Sequence, residues 1–73
     1  MKTIEHPTKR GQIVKFHTPF EDENPDQLYV VLEIHLNTDR PRALIQALNT
    51  GLPFSPSTVV RVADLEVALA NYY

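Results

Sequence analysis

Between Gln27 and Leu36 apolar and polar side chains alternate with a period of two. Leu28, Val30, Leu32, Ile34 and Leu36 hold the even positions, and Tyr29, Val31, Glu33 and His35 the odd ones. Successive strand side chains point to opposite faces, so this pattern predicts a strand with a buried aliphatic face made of the even positions. A helix would set Leu28 and Val30 on opposite sides. The strand is expected to be the spine of a small sheet, with Leu32 at the middle of its buried face.

Five further elements follow from weaker patterns. GQIVKFH, from Gly11 to His17, reads as a short strand with Val14 and Phe16 facing the core. RALIQALN, from Arg42 to Asn49, reads as a strand with Ile45 and Ala47 inward and Gln46 outward. Ala43, Leu44, Ala47 and Leu48 also fit a helix, but one that short is marginal by itself. TVVRVA, from Thr58 to Ala63, is β-branched and alternating, which favours a strand. Asp64 reads as the N-cap of a short turn anchored by Leu65. The tail to Tyr72 fits either a last strand or a helical face of Leu65, Ala68, Leu69 and Tyr72.

The connections are marked by prolines and polar runs. Thr18 to Asp26 holds Pro19, Pro25 and the acids Glu21, Asp22, Glu23 and Asp26. It predicts a long acidic loop. Asn37 to Arg42 predicts a turn, and Thr50 to Ser57 a proline-rich loop that exposes Leu52 and Phe54. Residues 1–10 read as a flexible or loosely docked arm preceding a single domain at 11–73.

Composition narrows the picture. A chain of 73 residues without cysteine has neither a disulfide nor a thiolate metal site to staple it, so a compact core must hold it. The missing cysteine and the polar N-terminus point to a cytoplasmic protein. No stretch approaches the roughly 20 apolar residues of a spanning helix. The net charge of −2 argues against a general nucleic-acid role while leaving room for a local basic patch.

The stretches GQIVKF, QLYVVLEIHL, RALIQALN and VVRVADLEV, with a long first loop and a one-turn helix near the end, resemble the order of a Src-homology-3-like small barrel. The likeness covers roughly residues 11 to 68 and implies an all-β, five-stranded barrel with a short 3-10 or helical turn near the C-terminus. The acidic proline loop, VVLEI, ALNTGL and VADLE also resemble small uncharacterised bacterial proteins of Bacteroides type. The chain departs from the peptide-binding members of the barrel class, which hold proline-rich helices on a platform that includes Trp. This chain has no Trp.

Candidate chemistry is sparse. Asp22, Asn24, Asp26 and Glu33 match part of a calcium-loop spacing, but Gln27 stands where the turn needs Gly and Pro25 interrupts it. His6, His17 and His35 lack metal-ligand spacing. No nucleophile elbow or phosphate loop is present. The expectation is therefore a non-enzymatic interaction module without cofactor or metal. Its protein-binding surface would combine the acids Glu21, Asp22, Glu23 and Asp26 with the aromatic anchors Phe20 and Phe54, for a partner with a basic segment. The alternative is a weak RNA- or DNA-binding barrel using Arg40, Arg42 and Arg61 beside Tyr29.

Overall fold

The computed structural model describes residues 4–18, 24 and 26–69. Five strands follow one another: β1 Ile13–Phe16, β2 Tyr29–His35, β3 Arg42–Ala47, β4 Ser57–Arg61 and β5 Leu65–Leu69, with a 3-10 turn at Val62–Asp64 between the last two. They form one sheet in the order β4-β3-β2-β1-β5, and every neighbouring pair is antiparallel. The all-β expectation holds. Both segments for which a helix competed carry strands, because each finds a neighbour to pair with. The edge strands β4 and β5 share no ladder, so the sheet is not closed into a barrel.

One face of this sheet carries the main core cluster, and Ile13 is buried outside it. Val14, Val31, Ala43, Ile45, Val62 and Leu65 are buried together, with Phe16, Tyr29, Ile34, Val60 and Val67 packed against them. Residues from both edge strands join one cluster, so the sheet curls over its own face. Val14, Phe16, Ile45, Ala47 and Leu65 lie where the alternation put them.

The spine differs. In β2 the core-facing residues are Tyr29, Val31 and Ile34, not the even positions. The ladder explains this. Tyr29 opposes Ala47 and Val31 opposes Ile45, then the register shifts and Glu33 opposes Leu44 and Ile34 opposes Ala43. Leu32 is the extra residue of a β-bulge, which breaks the two-residue phase once. Leu28, Val30 and Leu32 are half-buried on the other face, and Leu36 is exposed.

The segment before β1 is tied down by hydrogen bonds. Val67 N–H donates to the Glu5 carbonyl at 2.7 Å, and His6 Nδ1 lies 2.8 Å from the Leu65 carbonyl. A carbonyl only accepts, so this nitrogen carries the proton. Both bonds fall on the side of β5 turned away from β1. The buried Gln12 accepts from the backbone N–H groups of Thr8 and Lys9 at 2.7 and 3.0 Å. Pro7 is also buried. Gly11 makes the turn into β1 at φ +92°, a backbone that L side chains rarely adopt.

A second correction concerns Asp64. It closes the 3-10 turn instead of starting a new one, and Arg61 holds the N-cap position without a side-chain cap. Leu65 is the fully buried anchor that the sequence pattern required.

Candidate functional site

Two regions gather the candidate residues. The first is the loop between β3 and β4. Its base is pinned: Ala47 N–H donates to the Pro56 carbonyl and Leu48 N–H to the Leu28 carbonyl, both at 3.0 Å. Gln46 Nε2 reaches the Ser55 carbonyl at 3.5 Å. Within the loop, Leu52 N–H donates to Thr50 Oγ1 at 3.2 Å, and the positive φ values of Asn49 and Gly51, 55° and 76°, turn the chain. The tip is presented to solvent. Phe54 is 90% exposed and Leu52 58%. The Phe54 ring therefore adds almost nothing to the core.

Asp26 is exposed at the end of the acidic loop, where its N–H donates to Asn24 Oδ1 at 2.9 Å. The adjacent Gln27 donates through Nε2 to the Leu28 and Leu48 carbonyls, both at 2.8 Å. The returning limb of the acidic loop and the root of the Phe54 loop are thus bound to each other. Phe20, Glu21, Asp22 and Glu23 lie outside the described residues.

The second region is basic. On the outer face of the sheet His35 opposes Arg42, and Arg42 opposes Arg61. The Pro41 carbonyl accepts from Val62 N–H at 3.0 Å, which ties the β2–β3 turn to the 3-10 turn. As a result Arg40, Arg42 and Arg61 line one cleft of about 490 Å³ with His6, Asp39, Pro41, Val62 and Ala63. An adjoining depression of about 580 Å³ shares Arg40 and Arg42 and adds His35, Thr38, Asp39 and Val59. Arg61 is held by Asp64 at 3.1 and 3.4 Å, whereas the Arg40 and Arg42 side chains have no carboxylate partner among the described residues. Tyr29 does not join them. Its ring packs edge-on against Phe16 at 5.4 Å on the core side.

The histidines are dispersed in role. His17 Nε2 lies 2.8 Å from the Ala63 carbonyl, and its Nδ1 lies 2.6 Å from Thr18 Oγ1. The carbonyl requires a proton on Nε2, so a neutral ring accepts from the Thr18 hydroxyl. The His6 and His17 ring centres are 6.3 Å apart, while the exposed His35 stands 3.7 Å from the exposed Glu33 on β2. No group of three or more His, Cys, Asp or Glu placed to hold a metal occurs among the described residues. No helix among them is long and apolar enough to cross a membrane.

No protein-family model matches the chain, and no curated protein and no solved structure matches it either. The sites therefore stand on their geometry alone.

Proposed function

We propose that this chain is a non-enzymatic, protein-binding interaction module of Src-homology-3-like small-barrel type. The strand order and the 3-10 turn between β4 and β5 support the barrel reading. The exposed Phe54 carries the binding reading. A large aromatic on a loop whose base is hydrogen-bonded contributes no core area, yet keeps its full area for a partner. The acidic loop, joined to the same root through Gln27, supplies steering for a basic segment of that partner. The absence of cysteine favours a cytoplasmic setting, and the resemblance to small Bacteroides-type proteins favours a bacterial one.

The test is capture of partners from the native host with the intact chain and with Phe54→Ala. The variant is expected to unfold within about 0.5 kcal/mol of the parent, as exposed substitutions do, and to lose the captured partner. Asp22→Asn combined with Glu23→Gln is expected to slow association, with most of the difference disappearing at high salt. Retention of every partner by Phe54→Ala at unchanged stability would remove this reading.

A further inference from the structure

Arg42 and Arg61 are direct cross-strand partners in the β3–β4 ladder. Like charges placed opposite each other on one sheet face destabilise it. His35 extends the row on the other side of Arg42. The turn after β2 adds Arg40 to the same cleft. Three guanidinium groups thus converge on a molecule whose net charge is −2.

We propose that the Arg40–Arg42–Arg61 cleft binds the phosphate backbone of single-stranded nucleic acid, independently of the protein-binding loop. Guanidinium groups present paired donors that match phosphate oxygens. The adjoining depressions share Arg40 and Arg42, so one strand can pass from one to the other with its phosphates beside both residues. Among the described residues neither depression is lined by Phe, Tyr or Trp; the rings present are the imidazoles of His35 in one and His6 in the other. Base stacking is absent from the proposal, and recognition is of the backbone without sequence preference.

Asp39 and Asp64 set the strength. Asp39 lines both depressions, and Asp64 contacts the Arg61 guanidinium at 3.1 Å. Arg40 and Arg42 are then the main phosphate ligands, and Arg61 is a reserve that Asp64 holds back. Two to three neutralised phosphates on a single strand correspond to a slope of roughly −1.4 to −2 in log affinity against log salt.

The experiment measures anisotropy of a labelled single-stranded thymidine oligonucleotide, titrated with the full chain across a salt series from low ionic strength. A polyglutamate of similar length and charge serves as the second probe. The proposal expects oligonucleotide binding with that slope, about one tenth to one third of the affinity for Arg42→Ala with a shallower slope, and tighter binding for Asp64→Asn because Arg61 is released. Phe54→Ala is expected to bind the oligonucleotide like the parent, which separates this cleft from the protein-binding reading. Absence of binding at the lowest salt would overturn the proposal. Equal affinity for polyglutamate would also overturn it, by showing a general anion surface. Unchanged binding by both Arg42→Ala and Asp64→Asn would place the ligand elsewhere and overturn it as well.

Discussion

At the scale of single residues, the decisive position is Leu32. As the bulge residue of β2 it sits half-buried between two correctly paired neighbours, and Val31 takes the central place in the core. Val31→Ala is expected to cost about 2 kcal/mol, from two lost carbons and the cavity they leave. Leu32→Ala is expected to cost about 1 kcal/mol or less, because part of that side chain is solvated in the native state. Urea denaturation of the two variants measures the order directly. A larger loss for Leu32→Ala would mean that the even face of β2 is the buried one. The Arg61–Asp64 pair contributes little to this ledger, since its side chains are 67% and 41% exposed and exposed pairs are worth about 0–1 kcal/mol.

At the scale of elements, the two edges of the sheet are treated differently. The outer side of β5 is occupied by Glu5 and His6. At the two ends of β4, the flanking Pro56 carbonyl and Val62 N–H point toward β3 and the turn before it. Backbone groups alternate in direction along a strand, so those of Val59 point away from β3. Hydrogen exchange is expected to show a slow amide at Val67 and a fast one at Val59. Gln12 accepts from the backbone N–H groups of Thr8 and Lys9, just after the segment that covers β5. Gln12→Ala leaves two donors without their acceptor and is expected to cost about 1–3 kcal/mol. The Val67 amide should then exchange faster with little change at Val31. Protection at Val67 that survives the substitution would show that Glu5 and His6 hold β5 without Gln12.

For the whole molecule, stability rests chiefly on one curled sheet face, with Ile13 buried outside its cluster and no disulfide to support it. Residues 4–10 add the buried Pro7 and close the side of β5. A chain beginning at Lys9 loses Pro7, the Glu5 carbonyl and the His6 ring together. Its melting temperature is expected to fall by several degrees, since about 1 kcal/mol shifts a domain of this size by roughly 4–8 °C. The freed strand edge should also make it associate as concentration rises. Calorimetry and sedimentation of the two chains provide the check, and an unchanged melting temperature would assign residues 4–8 no part in stability.

Alternation and proline spacing in the sequence were enough to place β1, β2 and β4, the connecting loops, the inward face of β1 and the anchor Leu65. They also favoured a strand at 42–49 with Ile45 and Ala47 inward, while 65–72 stayed open between strand and helix until pairing decided it for 65–69. These are local properties: a strand shows its period, and proline and glycine mark its ends. The exposure of Leu52 and Phe54 was also legible, because both sit in a segment that cannot pair. The buried face of β2 was not. Apolar side chains occupy both of its faces, and the bulge that selects between them is defined only by the ladder with β3. The convergence of Arg40, Arg42 and Arg61 was foreseeable as pairing but not as a cleft, which depends on Val62 bonding to Pro41 across the turn. The docking of Glu5 and His6 left no mark in the alternation. Register, curl and edge cover are relations between segments distant in sequence, and they become definite only when backbone donors and acceptors find their partners in the folded chain.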